Sequence, residues 1–198
     1  MEASLRLLVE RGYAKFSASR VATMAGVSRG AQEHYFRTKN DLIVATLRNA
    51  MDEAVAHARS LANDAGRSAE PIEKFLADSE HFFFSARYRA LIEIMVAARS
   101  EPRLLRLWNP LVLAARTQLN QIWTDTLAAA GYKPNVARQF IELTQYLLRG
   151  LMLAETWLPY KTDRPGVIRA WRAIASVALE SDAAQETAAV EGTRPQRR

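Results

Sequence analysis

Apolar residues recur every three or four positions along nearly the whole chain, and no useful stretch alternates in the manner of a strand, so the pattern predicts an all-α fold. Leu5, Leu8 and Val9 mark a helix over about Ala3–Arg11, stopped by Gly12. Val21 and Met24 mark a short second helix. Leu42, Ile43, Leu47, Met51 and Val55 form a stripe that predicts a long helix from Lys39 to about Asn63. After a polar break over 63–69, Pro71 opens a helix carrying Ile72, Phe75 and Leu76 into the His-Phe-Phe-Phe run at 81–84. Further helices are expected over about Tyr88–Arg99 and from Pro102 to Gly131, the latter kinked or divided at Asn109-Pro110 because proline removes an amide and disfavours helical geometry before it. Val136–Trp157 and about Gly166–Glu180 complete the set. From Ser181 onward few groups are worth burying, and a frayed or disordered tail is expected.

Local punctuation sharpens one segment, the twenty residues from Ser17 to Phe36. Ser17 is suited to cap the Val21–Met24 helix, and Gly26 to end it in left-handed geometry. Val27 is expected as an apolar plug at the corner, with Ser28 capping a helix from Arg29 to about Phe36. Tyr13 and Phe16 supply aromatic filling beside Val21, Val27 and Phe36. Two short helices joined by a tight turn make a helix-turn-helix pattern, in which the second helix enters the DNA major groove. Thr38, followed three residues later by Asp41, resembles a capping box at the start of the long helix.

Composition then narrows the chemistry. There is no cysteine, which excludes thiol catalysis, disulfides and cysteine-ligated zinc, and the three histidines, His34, His57 and His81, are well separated, so no metal and no cofactor is expected. No run approaches a membrane span, and the start lacks a signal-peptide pattern, so a soluble cytoplasmic protein without a membrane partner is expected. The net charge is +6; residues 1–48 hold eight Lys or Arg against four Asp or Glu, giving +4 of that total. Positive charge concentrated in the first quarter suits phosphate binding, although it also suits an ordinary solvated face.

Gly-Tyr at 12–13, Val-Ala-x-x-Ala-Gly-Val-Ser-Arg-Gly-Ala at 21–31, Tyr-Phe at 35–36 and Lys-Asn-Asp-Leu at 39–42 together resemble the DNA-binding segment of the tetracycline-repressor-type (TetR) family. The resemblance covers roughly the first quarter of the chain. It implies an N-terminal three-helix domain over 1–48, a helical-bundle domain for effector binding and dimerisation over 49–182, and a tail at 183–198. By resemblance the chain is a homodimeric regulator of transcription, a repressor by family default, that binds an inverted-repeat operator in double-stranded DNA and is released by a small-molecule effector. Ser17, Ser28, Arg29, Gln32, His34, Tyr35, Arg37 and Lys39 are the DNA-binding candidates, with Arg29, Gln32 and His34 assigned to base edges and Tyr35, Arg37 and Lys39 to phosphates. The chain departs from the family pattern at Phe16, where Thr is usual, at Gln32, where an aliphatic residue is common, and at Glu33, where Tyr is common.

The last two helices carry apolar faces rich enough for a two-fold interface, with Leu147, Leu151, Ile168, Trp171, Ile174, Ala175 and Ala178 as candidates. Phe83, Tyr88, Trp108, Trp123 and Tyr146, with the carboxylates Glu93 and Glu155, are the effector-pocket candidates, although aromatic residues suit a packed core equally well. Arg89 offers Glu93 an ordinary pair four residues away, whereas Glu155 has no basic residue at that spacing. Two other classes stay open: an all-helical enzyme, for which no catalytic motif occurs and none is assigned, and a protein-interaction module without specific DNA binding.

Overall fold

The computed structural model describes residues 1–28, 30, 34–65 and 70–191, and every regular element among them is helical. The elements are α1 (Glu2–Arg11), a 3-10 turn (Tyr13–Lys15), α2 (Ala18–Ala25), α3 (Lys39–Ala65), α4 (Pro71–Phe83), α5 (Ala86–Ala98), α6 (Pro102–Ala129), α7 (Pro134–Trp157) and α8 (Arg164–Glu191). The fold is all-α, with helix-turn-helix-like helices at the N-terminus followed by a larger helical portion. No helix among the described residues is long and apolar enough to cross a membrane.

The described residues form two compact units, Met1–Ser60 with Glu80–Leu119, and Leu61–Ser79 with the described part of Asn120–Arg198. The first unit therefore holds the N-terminal helices together with α5 and much of α3 and α6. Within it α1 packs on both α2 and α5. Leu7, Leu8, Leu42, Ile43, Leu47, Leu91 and Ile94 are all buried there. The buried face of α1 is Ser4, Leu7 and Leu8, whereas Val9 is 37% exposed. The expected stripe was thus rotated: with partners on two sides, positions spaced by three and four from Ser4 turn inward and Val9 faces solvent.

In the second unit Phe75, Trp123 and Phe140 make an edge-to-face cluster, and Trp171 stacks on Phe140 with ring centroids 6.1 Å apart. Two indoles carry polar atoms into this apolar setting, and each finds a partner. The Trp123 Nε1–H donates to the buried Asp78 carboxylate at 2.8 Å, and the Trp171 Nε1–H donates to Thr144 Oγ1 at 2.9 Å. The Thr144 hydroxyl in turn donates to the Phe140 carbonyl one turn earlier. Each indole nitrogen thereby fixes the orientation of its ring, which apolar contact alone does not.

Pro110 does not divide the helix, since α6 runs unbroken from Pro102 to Ala129. Pro110 and Arg106, whose carbonyl has no Pro110 amide to accept from, both lie on the exposed side, while buried Leu104, Trp108 and Ala115 hold the helix on its other side. The final helix continues to Glu191, past the expected end near Glu180, while residues 192–198 of the expected tail lie outside the described residues.

Replacing Trp123 with Phe should keep most of the packing but leave the Asp78 carboxylate without its indole donor. We expect a loss of about 1–3 kcal/mol in urea unfolding, and a variant as stable as the parent would show that the hydrogen bond contributes nothing net.

Candidate nucleic-acid interface

The corner between the short helices is built from local hydrogen bonds. Ser17 accepts from the Arg20 amide at the start of α2. At its other end Gly26 adopts φ 68° and ψ 24°, where a side chain is disfavoured. The Gly26 amide bonds to the Thr23 carbonyl and the Val27 amide to the Ala22 carbonyl, the paired closure of a Schellman motif. Val27 does not plug the corner; it is 49% exposed, and Phe16, 2% exposed, occupies the interior with Val21 and Ala22. The aromatic ring at Phe16 is therefore a core residue, and no hydroxyl from that position is offered to DNA.

Gly30, His34 and Tyr35 are helical, while Arg29, Gln32 and the acidic Glu33 lie outside the described residues. Of the base-reading candidates only His34 is described. Ser28, His34, Tyr35 and Arg37 are exposed, Tyr35 at 77%, and the His34 and Tyr35 rings meet edge to face at 5.3 Å. An exposed aromatic pair of this size gains little from intramolecular burial.

Helix α3 starts from a reciprocal cap. The Asp41 amide donates to Thr38 Oγ1 at 3.1 Å, and the Thr38 amide donates back to Asp41 Oδ2 at 2.9 Å. Lys39, beside this cap, folds inward. Its ammonium donates to the Tyr13 carbonyl at 3.1 Å and lies 3.6 Å from the centroid of the Tyr13 ring. The Tyr13 hydroxyl donates to Glu101 Oε2 at 2.9 Å, and its amide donates to Glu93 Oε2 at 3.3 Å. Burial, then the hydrogen bond to Glu101, then the carboxylate charge, push the Tyr13 phenol up to about 12. Burial lowers the Lys39 pKa, and the Glu101 charge opposes that shift.

A basic groove was not legible in the sequence. Arg6, Arg11, Lys15 and Arg20, drawn from α1, the 3-10 turn and α2, line a cavity of about 530 Å³, where the Arg20 guanidinium is held by the Lys15 carbonyl at 2.8 Å. These residues lie five, four and five apart, a spacing that no single helix face would bring together.

The family described as bacterial regulatory proteins, tetR family, matches residues 1–46. The HTH-type transcriptional regulator CymR of Pseudomonas putida is 30% identical over 155 residues, covering 78% of this chain and 76% of that one. The chain belongs to the tetR family. Among solved structures, a TetR-family regulator from Mesorhizobium loti superposes with a TM-score of 0.70 at 15% identity, over 91% of this chain and 93% of that one. A transcriptional regulator from Rhodococcus sp. Rha1 superposes with a TM-score of 0.65 at 23% identity, over 91% and 94%. The two structures support the fold alone.

Other expected tetR-family sites are distributed less simply. Of the effector candidates, Phe83, Tyr88, Glu93 and Trp108 fall in the first unit, and Trp123, Tyr146 and Glu155 in the second. Phe83 and Tyr88 are buried against each other with centroids 4.8 Å apart, and Phe82 touches both. Trp108 is 8% exposed and Trp123 is buried, whereas Tyr146 is 52% exposed with the Arg149 guanidinium over its ring. Glu93 is exposed and holds the Tyr13 amide, while Arg89 turns away to the Phe84 carbonyl. Glu155 finds its base in Arg164, a two-pronged pair at 2.8 and 2.6 Å that spans the α7–α8 loop.

On the last two helices, Leu151, Ile168 and Ala175 turn into the protomer's own core, and Leu147 and Trp171 are half-buried. Ile174 and Ala178 face outward, joined by Leu143, Tyr146 and Val177, which the pattern of the sequence did not single out for this face. His57 and His81, far apart in sequence, meet with ring centroids 4.7 Å apart, yet no group of three or more metal-ligating residues forms among the described residues.

The Tyr13 phenol offers a pH test. Its pKa rises from 10.0 to about 12 on folding, so the stability it contributes is complete below pH 10 and is lost as pH climbs through 12. The native chain should lose stability more steeply over that window than Tyr13→Phe; parallel curves in urea would contradict the assignment.

Proposed function

We propose that the chain is a homodimeric, sequence-specific DNA-binding repressor whose two copies present their helix-turn-helix segments to an inverted repeat. The observation that carries this reading is the corner itself: a capped α2, a left-handed stop at Gly26, and exposed His34 and Tyr35 leading into a capped α3, in a chain of the tetR family. One short helix contacts too few bases for selectivity, whereas two joined copies read half-sites about 34–36 Å apart, or a multiple of that spacing. His34, with Arg29 and Gln32, is assigned to base edges. Ser17, Ser28, Tyr35, Arg37 and Lys39 are assigned to the backbone, which orients the protein without specifying sequence.

The dimer is supported by the outward apolar positions Leu143, Tyr146, Ile174 and Val177 on α7 and α8, at 52–68% exposure. A two-fold axis brings one such patch onto its own copy, the usual symmetry of homo-oligomers. Release by a small molecule follows from family membership and works through linkage: a ligand that favours a head spacing unlike that on DNA lowers operator affinity. The protein acts in the cytoplasm, on the DNA it regulates.

Selection of duplexes from a random pool by the pure full-length chain tests the reading directly. An enriched inverted repeat is expected; recovery of no preferred sequence at physiological salt would refute specific DNA binding and favour an interaction module. The dimer is tested separately. Ile174→Glu places a carboxylate in the proposed interface at a position 63% exposed in the protomer, so the protomer's own fold should be kept and any fall in unfolding midpoint should be the part that depends on protein concentration. Sedimentation should then report a monomer with weakened inverted-repeat binding, and an unchanged dimer would move the interface elsewhere.

A further inference from the structure

Tyr13 uses four of its groups at once. The amide is held by Glu93 of α5, the hydroxyl by Glu101 just before α6, and the carbonyl and ring face by Lys39 at the start of α3. All four residues belong to the first compact unit. The turn that carries Tyr13 leaves little room to adjust, because Gly12 sits at φ 70° and a Cβ there would meet Glu93 Oε2 at 3.1 Å. The carboxylates therefore fix the residue, and the residue fixes the lysine.

Lys39 stands at the N-terminus of the helix that follows the reading segment, where the proposed function assigns it to a DNA phosphate. Here one of its three N–H donors serves a backbone carbonyl and its charge rests on an aromatic face. Burial works against the charge and is the larger effect, and the Glu101 carboxylate on the far end of the same tyrosine offsets part of it. An ammonium that turns out fully to a phosphate gives up this carbonyl and this ring face.

We propose that Tyr13 and Glu101 are positioning residues that store Lys39 away from DNA, so that operator binding includes a step in which the lysine leaves the tyrosine for a phosphate. This rests on the reading of the chain as a DNA-binding protein. It adds that operator affinity is set partly by residues 13 and 101, neither of which touches DNA. Since Glu93 lies in α5 and Glu101 at the start of α6, displacement of either helix loosens or tightens the store.

The test titrates the full-length chain with a labelled mixed-sequence duplex of about 30 base pairs, roughly three helical turns, between about 50 and 200 mM salt. Tyr13→Leu removes the ring and hydroxyl but keeps an apolar side chain, and Glu101→Gln removes the charge. Each should bind about threefold or more tightly at fixed salt, with an unchanged salt slope, because the bound state is the same and only the free state has lost its store. Lys39→Gln should lower the slope by about 0.9, and in its background neither substitution should alter affinity beyond the loss of the Glu101 charge itself, which Tyr13→Leu does not involve. Unfolding midpoints measured on each variant separate a lost store from a lost fold.

Tyr13→Leu binding no tighter than the parent, or the same gain persisting without Lys39, would overturn the store while leaving the DNA-binding reading intact. Absence of duplex binding by the unaltered chain at every salt concentration would overturn both.

Discussion

The packing of α1 against α5 is the constraint on which the N-terminal segment depends. A helix-turn-helix of this size buries too little apolar surface to be stable alone, and α1, which buries Leu7 and Leu8, packs on α5 as well as on α2. Tyr13 fastens the same junction with directional bonds, its amide to α5 and its hydroxyl to the start of α6. The apolar contact sets how strongly the two parts hold. The hydrogen bonds set the angle at which they do so.

That division between local and distant causes explains what could be read from residues in order. The caps at Ser17 and Thr38 and the stop at Gly26 involve partners within five residues, so their chemistry is complete in the sequence and the structure follows it. The long stripe on α3 was equally legible because its period repeats over many turns. Lys39 was assigned outward on its resemblance to a phosphate contact, yet it is drawn inward by a tyrosine 26 residues earlier and a carboxylate 62 residues later, distances at which periodicity says nothing. Glu155 was singled out for lacking a base four residues away; its base is nine residues on, across a loop.

The same limit applies to faces. An amphipathic pattern says which residues avoid water but not whether they meet their own chain or another. Along α7 and α8 this leaves Leu151, Ile168 and Ala175 in the protomer's interior and Leu143, Ile174 and Val177 outside it, although all six are apolar. The aromatic residues assigned to an effector pocket divide likewise: Phe83 and Tyr88 close on each other, Trp123 meets Phe75, Trp108 is buried and Tyr146 is exposed.

Native-state hydrogen exchange on the full-length chain measures the junction of α1 with α5 most directly. If α1 and α5 are one cooperative body, the amides of Leu7 and Leu8 open together with those of Ile94 and Ala98, with one free energy and one dependence on denaturant. Rapid exchange of the α1 amides through a small local opening, while those of α5 remain protected, would show that the head is held loosely and contradict the account.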